Sequence, residues 1–597
     1  MTIEESLKQT VVNAVKTLYD KDLNDNLVQI QKTKKEFEGD LTVVVFPILK
    51  LSGKKPEDTA QDLGNFISQN WAECKNFNVV KGFLNISLKH AVITEMLLNI
   101  NADENYGFEA VTEKSKKIVV EFSSPNTNKP LHLGHLRNNF LGDSISKILK
   151  AGGNNVIKVN LVNDRGIHIC KSMLAWKKWG SGETPETSGI KGDHLIGKYY
   201  VEFDKHYKEE IKDLMSKGMT EDEAKQKAPS IVEAHKMLQA WESGDKETVE
   251  LWKTMNSWVY DGFDVTYKLM GITFDKIYHE SETYLEGKQY VLDALQKGIC
   301  QKDETGATFI DLTADGLDKK ILLRGDGTTV YMTQDLGTAA LRHREFNFDE
   351  HIYVVGNEQD YHFKALKLVL KKLGFAWGDS IKHFSYGMVE LPNGKMKSRE
   401  GTVVDADDLI AEMTETARKT SEELGKLNEM TKEEQDNTVF TIAMAALKYF
   451  ILKVDPKKTI LFNPAESIDF NGNTGPFVLY TYARIRSIFR KLSDKNIERI
   501  SLKSDFEDIS EVESNLVQTV ANFKNAVSEA CKMCSPAQIA NYVYDLSKQF
   551  NQFYHDFSIL GEEDVLKREF RLVLSENVGR TIKKCLNLMG INVLEKM

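Results

Sequence analysis

The stretch 117–164 constrains the fold of this chain more than any other feature of the sequence. KIVVEF is an apolar run typical of a buried strand, a helical pattern follows it, and NVIKVNLVND returns to the strand pattern. The helical part ends at the glycine pair Gly152 and Gly153. Its apolar residues fall on one helical face: Leu136, Phe140, Ile145, Ile148 and Leu149. A strand, a helix and a strand in this order make a βαβ unit, which predicts a parallel sheet and an α/β fold.

The length and composition predict a multidomain globular protein. A chain of 597 residues is too long for one hydrophobic core, and 41% hydrophobic with 28% charged residues is ordinary. We find neither a charged-then-apolar leader nor a membrane-length apolar run, so we expect a cytoplasmic protein without a membrane segment. The scattered cysteines fit a reducing compartment. Cys531 and Cys534 form a CxxC without a second ligand pair, so we expect no tightly bound metal.

The pattern along the chain predicts three parts. Residues 1–113 alternate helix-like runs with the strand-like TVVVF and GFLNISL, which predicts a separate N-terminal α+β domain. Residues 114–405 carry the sheet, with a charge-rich helical insertion at about 193–270 and further strand patterns at ATFIDL and HIYVVG. SGETPETSG (181–189) is typical of a surface loop. Residues 406–597 are helical in pattern to the end.

Two histidines, His132 and His135, flank Gly134 where a loop enters the first helix of the βαβ unit. Backbone N–H groups at a helix N-terminus attract anions, and a glycine there lets a flat group approach the backbone closely. The two imidazoles lie one turn apart, a spacing that suits successive phosphate oxygens. By itself, HxGH is equally well explained by a histidine pair satisfied at a helix cap.

A second polar loop carries KMKSR (395–399) between a strand-like run and a helix that starts near Asp405. Cations beside a triphosphate can neutralise the charge that builds on the α-phosphate and the departing pyrophosphate. Taken alone, this loop is also typical of an ordinary basic surface. Together, and with the βαβ unit beneath the first loop, the two loops predict a triphosphate site.

These loops resemble the HIGH and KMSKS motifs of class I aminoacyl-tRNA synthetases. Longer stretches are similar to the arginyl-tRNA synthetase family in particular, in that family's order from about residue 118 to the end. The stretches are SSPNTNKPLHLGHLRNN, LVNDRGIHI, DGTTVYMTQDLGTAALR, GNEQDYHF, GKMKSREGTVV and NTGPFVLYTYARIRSI. The resemblance implies a Rossmann-type catalytic domain, an N-terminal tRNA-contacting domain and a C-terminal α-helical anticodon-binding bundle from about residue 470.

The resemblance also implies the reaction of an arginine–tRNA ligase. The carboxylate of L-arginine would attack the α-phosphorus of ATP, giving arginyl-adenylate and pyrophosphate, and the terminal 2′-hydroxyl of tRNA(Arg) would take the arginyl group. Mg²⁺ would arrive with ATP, and catalysis would rest on alignment and charge stabilisation without an enzyme nucleophile. The family commonly needs bound tRNA for activation and is monomeric by default.

The ATP contacts implied by the resemblance lie in the two loops. His132 and His135 would contact phosphates, Gly134 would pack near the nucleoside, and Lys395 would stabilise the transition state. Met396 and Ser398 would complete the ATP-binding loop.

One position departs from the family's pattern. Ser398 stands where KMSKS has its second lysine, and a serine cannot supply that charge. The resemblance makes Lys129 the replacement, ahead of Lys397 and Arg399.

The residues expected to bind arginine are polar or acidic. A guanidinium that never loses its charge requires anions and planar acceptors. Tyr331 and Asp335 are one helical turn apart, so they could face one ligand. Asp335 is the expected main guanidinium partner, with Tyr331 packing on the guanidinium or bonding to it. The other three residues, Asn126, Glu121 and Gln359, would hold the amino group and orient the side chain. The resemblance assigns to substrate arginine Glu121, Asn126, Tyr331, Asp335 and Gln359.

The C-terminal helices are expected to read the anticodon. Splayed RNA bases stack on aromatic rings, and Tyr480, Arg484 and Tyr554 match the family's contacts by position, with Met597 as a further candidate. Tyrosines at helical spacing are as often core residues. The net charge of −10 does not by itself favour a nucleic acid, since only the local surface decides.

Three other interpretations fit the sequence less well. Small nucleotidyltransferases share HxGH but are single short domains that lack the second loop and the helical bundle. A glutamate-specific synthetase would need a cation where Glu121 and Asp335 stand, and a cysteine-specific one would need a zinc cluster. Fold alone does not exclude a non-catalytic relative that binds tRNA or scaffolds partners, but the intact His132, His135, Lys395 and pocket acids argue against it.

Overall fold

The computed structural model of the protein describes residues 3–34, 36–390, 404–428 and 430–597. The chain divides into two compact units, each drawn from separated stretches. Unit 1 comprises Met1–Tyr106, Arg484–Lys524 and Asp545–Ile582, and unit 2 comprises Gly107–Ala483, Asn525–Tyr544 and Lys583–Met597.

The N-terminal part of unit 1 is an antiparallel sheet with helices. Its elements are α1 (Ile3–Tyr19), β1 (Gln29–Lys32), β2 (Leu41–Val44), α2 (Leu49–Ser52), α3 (Pro56–Asn70), β3 (Cys74–Val80), β4 (Phe83–Leu88) and α4 (His90–Ala102). The strand order is β1-β2-β4-β3, and each neighbouring pair is antiparallel. TVVVF and GFLNISL lie in β2 and β4, so the α+β character predicted for this region is confirmed.

Unit 2 begins with the predicted βαβ unit and a helical insertion. These elements are β5 (Lys117–Glu121), α5 (Leu133–Ala151), β6 (Asn155–Val162), α6 (Ile167–Trp179), α7 (Pro185–Ser188), α8 (Gly192–Ser216), α9 (Glu221–Lys227), α10 (Pro229–Glu242) and α11 (Lys246–Met270). The five apolar residues predicted on one face of α5 are all buried. SGETPETSG, interpreted as a loop, contains α7, because Thr184 caps a short helix that Pro185 starts.

The chain then returns to the sheet. The elements up to residue 390 are β7 (Lys276–His279), α12 (Glu280–Thr283), α13 (Glu286–Gln296), β8 (Gln301–Lys302), β9 (Thr308–Ile310), β10 (Lys320–Leu323), α14 (Tyr331–Phe346), β11 (Glu350–Gly356), α15 (Asp360–Lys372), β12 (Ile381–Tyr386) and β13 (Val389–Glu390). The main sheet has the order β12-β11-β5-β6-β7, and all its pairs are parallel. ATFIDL forms β9, which belongs to a separate antiparallel sheet with β8 and β10.

Among its described residues, the C-terminal region is helical apart from one short strand. Its elements are α16 (Ala406–Glu423), α17 (Lys432–Leu452), β14 (Ile460–Leu461), α18 (Pro464–Ser467), α19 (Gly475–Asp494), α20 (Glu511–Ala521), α21 (Phe523–Met533), α22 (Pro536–Asp556) and α23 (Val565–Leu588). β14 pairs in parallel with β13, a contact that the helical pattern of the sequence does not reveal. In the part of the chain that the structure describes, we find no helix long and apolar enough to cross a bilayer.

The packing of α5 on the sheet positions the site. Gly142 lies against Phe122, which follows β5, and an added methyl group would collide with that ring. The chain leaves β5 through Ser123, whose φ of 64° is unusual for a residue other than glycine. Asn138 Oδ1 accepts from the Ser123 N–H at 2.6 Å, so α5 itself holds this turn. The carboxyl end of β5 and the start of α5 therefore form one connected structure.

Candidate active site

The HLGH turn caps helix α5 with both of its histidines. His132 is the N-cap residue, and its Nδ1 accepts from the Gly134 N–H at 3.1 Å. His135 reaches back, and its Nδ1 accepts from the His132 N–H at 3.1 Å. The two ring centroids are 3.8 Å apart. Because backbone N–H groups donate to both Nδ1 atoms, each ring carries its proton on Nε2.

Both histidines are neutral at physiological pH. Burial lowers the pKa of His132 to about 4, with help from the charge of Lys129. Burial, His132 and Lys129 together lower the pKa of His135 well below its ordinary value. The HLGH turn therefore offers neutral Nε2–H donors, which can hold a phosphate oxygen without titrating.

Lys129 lies close enough to this turn for its charge to lower the pKa of both histidines. Burial lowers the pKa of its ammonium group, and its charge also depresses the pKa of His168. Within residues 3–34, 36–390, 404–428 and 430–597, no carboxylate lies within ion-pair distance of Lys129. A partly buried cation without an acidic partner in the described chain is suited to an anionic ligand.

The described flanks of the second loop lie against α5. The Leu133 N–H donates to Val404 O at 3.0 Å, and the Ala406 N–H donates to Leu131 O at 2.9 Å. On the other flank, buried Arg137 donates to Met388 O at 2.6 Å. The predicted loop residues Lys395, Met396, Lys397, Ser398 and Arg399 lie outside the described residues.

Glu121 ends β5 and forms a buried ion pair with Arg342 of α14. Burial raises the pKa of Glu121, and the Arg342 guanidinium opposes that rise. Its second oxygen accepts a long hydrogen bond from Ser124 Oγ at 3.4 Å. One side of the Glu121 carboxylate is therefore occupied by a guanidinium of the chain itself, which the sequence reading did not anticipate.

Asp335 and Tyr331 lie on the first turns of α14, as their spacing predicts. The Asp335 carboxylate is 30% exposed and lies 2.5 Å from His362 Nε2 of α15. Tyr331 is 78% exposed at the first position of the helix. Tyr331 is therefore open to solvent, whereas the Asp335 carboxylate already has His362 as a partner.

Asn126 and Gln359 are exposed and lie in loops that follow strands of the main sheet. Asn126 forms a backbone bridge with Asn163, which comes directly after β6. Gln359 ends a short 3-10 turn after β11. Because the carboxyl ends of parallel strands share one edge, both residues belong to the edge where ligands bind in α/β sheets.

Glu280 is a further acid at this edge that the sequence reading missed. It follows β7 directly, and burial raises its pKa to about 7. Arg165 lowers that pKa, whereas Asp164 and Asp335 raise it. Asp335 also raises the pKa of Glu121. The carboxylates of Glu121, Asp335 and Glu280 therefore share one electrostatic environment, and we call these three residues the acidic edge. An acid directly after a strand would have identified Glu280 in the sequence, but β7 has only four residues, which are too few to be recognised as a strand from their pattern.

One group of described residues has the spacing of a metal site. Asp193, His194 and Asp407 offer ligand atoms that all lie within 4.8 Å of one another. However, the Lys191 ammonium lies 3.1 Å from Asp193 Oδ2 and 2.5 Å from Asp407 Oδ2. A cation of the chain itself already neutralises these carboxylates, which does not fit a resident metal ion.

The residues predicted to contact the anticodon lie on the C-terminal helices and end. In unit 1, the Arg484 guanidinium lies 5.2 Å from the ring centre of Tyr554, and Arg484 also bonds to Asn551. In unit 2, the Tyr480 ring lies 3.6 Å from the ammonium of Lys426. Met597 is half-buried. Tyr554, at 38% exposure, has a ring surface open to stacking.

Three protein families match the chain in consecutive ranges. The family described as "tRNA synthetases class I (R), catalytic domain" matches residues 94–463. "DALR anticodon binding domain" matches residues 478–597, and "Arginyl tRNA synthetase N terminal domain" matches residues 3–88.

Curated proteins named arginine–tRNA ligase are similar over their whole length. Those of Bacteroides thetaiotaomicron and Porphyromonas gingivalis are 57% and 55% identical to the chain over 597 residues. That of Flavobacterium psychrophilum is 54% identical over 608 residues. In each case the alignment covers 100% of both proteins.

Solved structures share the fold. The arginyl-tRNA synthetase of Thermus thermophilus matches with a TM-score of 0.79 at 24% identity, covering 100% of both chains. That of Plasmodium falciparum matches with a TM-score of 0.73 at 22% identity, covering 100% of this chain and 99% of the other. The α/β architecture with an N-terminal domain and a C-terminal helical region is thus common to all three.

Proposed function

The chain belongs to the arginyl-tRNA synthetases and is an arginine–tRNA ligase, and we propose that its HLGH turn and acidic edge form the active site. The enzyme uses ATP to activate L-arginine and transfers the arginyl group to tRNA(Arg). The main support for placing the active site here is the geometry of the HLGH cap. Its two neutral Nε2–H donors lie beside Lys129, a cation without an acidic partner among the described residues.

The HLGH turn binds the triphosphate in this proposal. His132 and His135 donate to phosphate oxygens through Nε2, and Gly134 leaves room for the nucleoside. Lys129 replaces the second lysine of KMSKS. Lys395, with Met396 and Ser398 beside it, approaches the same phosphates from the second loop and stabilises the charge that develops in the transition state.

The acidic edge binds the amino acid. Asp335 and Glu280 face the guanidinium, and Tyr331 packs on it or bonds to it. Glu121 is already held on one side by Arg342, so its second oxygen accepts from the α-ammonium group of the substrate. Asn126 and Gln359 orient the substrate from the neighbouring loops.

The chain contributes alignment and charge to both steps. The arginine carboxylate attacks the α-phosphorus, the bond to pyrophosphate breaks, and arginyl-adenylate forms. The terminal 2′-hydroxyl of tRNA(Arg) then attacks the arginyl carbonyl, and AMP leaves. Mg²⁺ enters with ATP as part of the substrate complex, where it neutralises phosphate charge. We assign no resident metal ion, because Lys191 occupies the one described group with suitable spacing.

We assign tRNA contact, catalysis and anticodon binding to different domains. Residues 1–113 contact tRNA, residues 114–405 carry the catalytic sheet with its insertion at about 193–270, and residues 406–597 are helical, with the anticodon-binding part from about residue 470. Tyr480, Arg484, Tyr554 and Met597 are the proposed anticodon contacts. The enzyme acts as a cytoplasmic monomer in this proposal.

Pyrophosphate exchange into ATP tests the proposal. We expect exchange that requires L-arginine, Mg²⁺ and tRNA(Arg) together, and we expect His132→Ala to lower it about a hundredfold. Exchange without tRNA would remove the tRNA requirement and keep the site. A His132→Ala enzyme with normal exchange would overturn the role of the HLGH turn.

A further inference from the structure

A single carboxylate, that of Asp407, receives three bonds from the helical insertion. It lies in the first turn of α16, and its Oδ2 is 2.5 Å from Lys191 Nζ and 2.9 Å from His194 Nε2. Its Oδ1 accepts from Thr266 Oγ1 at 2.9 Å. Lys191 precedes α8, His194 lies in α8 and Thr266 lies in α11, so both of these long helices are tied to α16.

The backbone just before Asp407 contacts the HLGH turn. Asp405 forms an antiparallel bridge with His132, and residues 404 and 406 bond to Leu133 and Leu131. Asp405 also caps α16, because its Oδ1 accepts from the Asp407 N–H at 2.8 Å. Asp407 is therefore only two residues from the backbone that bridges to the histidine.

The charges around Asp407 keep it ionised. His194, Lys191 and Thr266 lower its pKa to about 2 against the effect of burial, which would raise it. Two further carboxylates face the same cations, since Asp193 lies 3.1 Å from Lys191 and Asp405 lies 3.7 Å from His194. Three carboxylates, Lys191 and His194 thus form one connected network.

We propose that Asp407 is a positioning residue for ATP activation: through it, α8 and α11 hold residues 404–406 against the HLGH turn. The inference rests on the proposed role of that turn in binding phosphates. Asp407 touches no reacting atom in this account. Its loss lets the His132 donor shift, and displacements of about 1 Å can lower a rate about a hundredfold.

The expected effect of pH follows from His194. The bond to Asp407 raises the pKa of His194, burial opposes this, and Asp405 and Asp193 add to the rise, with Lys191 as the other charged neighbour. Protonated His194 holds Asp407 more strongly than neutral His194 does. As pH rises through the raised pKa, that charge is lost, so kcat/KM for ATP should decline on the alkaline side.

The test compares Asp407→Asn with Asp408→Asn in the full-length enzyme. Asp408 lies on the same helical turn and is exposed, so its substitution controls for the loss of a negative charge near the start of the helix. We expect Asp407→Asn to lower kcat/KM for ATP in tRNA-dependent exchange by about tenfold to a hundredfold. We expect KM for arginine to stay unchanged in both variants, because the acidic edge is not altered.

His194→Gln gives a second arm that does not depend on the folding of Asp407→Asn. It should lower kcat/KM for ATP less than Asp407→Asn does and abolish the alkaline decline. Equal ATP kinetics in Asp407→Asn and Asp408→Asn, or an unchanged alkaline decline in His194→Gln, would overturn the inference. His132→Ala, run in parallel, separates the two proposals: normal exchange there would mean that the role assigned to the HLGH turn itself has failed.

Discussion

The HLGH turn and the acidic edge, which we propose as the phosphate side and the arginine side of the site, carry opposite charge. At the HLGH turn, two neutral histidines and Lys129 lie together, and no described carboxylate pairs with that lysine. At the acidic edge, three carboxylates share one environment, and one of them is already paired with Arg342. A site that binds a polyanion and a cation together needs this separation, because each half would repel the ligand of the other.

The two sides also differ in whether their charged groups form ion pairs within the protein. Glu121 is buried in an ion pair, whereas Lys129 has no such partner in the described chain. In the proposed site, the Arg342 guanidinium keeps Glu121 from competing with Asp335 and Glu280 for the substrate side chain. Charge alone therefore does not identify a ligand contact, because the sequence does not reveal that Glu121 is paired with Arg342 and Asp335 with His362.

Removing Asp335 should break the arginine side most severely. We expect Asp335→Asn to lower kcat/KM for arginine about a thousandfold, because an uncompensated guanidinium would have to be buried. KM for ATP should change little. Exchange kinetics at varied arginine and varied ATP measure the two effects separately. Glu282→Gln, an exposed acid near Glu280, is the matched control, and an equal loss there would contradict the assignment.

Removing Lys129 should break the phosphate side. We expect Lys129→Met to lower kcat of exchange about a hundredfold, because one donor of charge stabilisation is lost. Arg399→Met and Lys397→Met should have smaller effects, and Lys150→Met, at an exposed position late in α5, should have none. If Arg399→Met were the more damaging change, the second loop would supply the missing lysine instead.

Glu280 should make arginine binding depend on pH. Its pKa of about 7 means that acid neutralises it and weakens the attraction for the guanidinium, so kcat/KM for arginine should fall as pH drops through that value. Glu280→Gln should cost about tenfold at high pH and remove this dependence. Measuring kcat/KM for arginine with the Glu280→Gln variant between about pH 6 and 8 tests this prediction. A persistent acid limb would assign the titration to another group.

The smallest effect is expected for Tyr554, a proposed anticodon contact. Tyr554→Ala should lower kcat/KM for full-length tRNA(Arg) by up to about tenfold through lost stacking. A minihelix without an anticodon should be charged equally by the variant and the natural enzyme. His555→Ala is the control, because this neighbouring side chain is 85% exposed. Equal losses on the tRNA and the minihelix would place Tyr554 outside the anticodon contact.

The sequence predicted local structure well where periodicity was long. The βαβ unit and the helix α5 were expected from apolar spacing and glycine positions. The cap formed by His132 and His135 was only the alternative interpretation of HxGH. Short elements escaped prediction: β7 has four residues and β14 has two, too few for a pattern to stand out. The roles of the loop residues Lys395 and Ser398 stay predictions from the sequence.

The amino-acid sequence alone specifies the chemical groups available: two histidines at a helix start, acids after strands and a basic loop. Which of these groups are already paired within the protein follows from the folded structure. Arg342 lies far along the chain from Glu121, and Lys191 lies far from Asp407, yet each pair meets in the fold. The reason is that a charge is satisfied by whatever the fold brings within a few ångströms, and separation along the chain does not encode that distance.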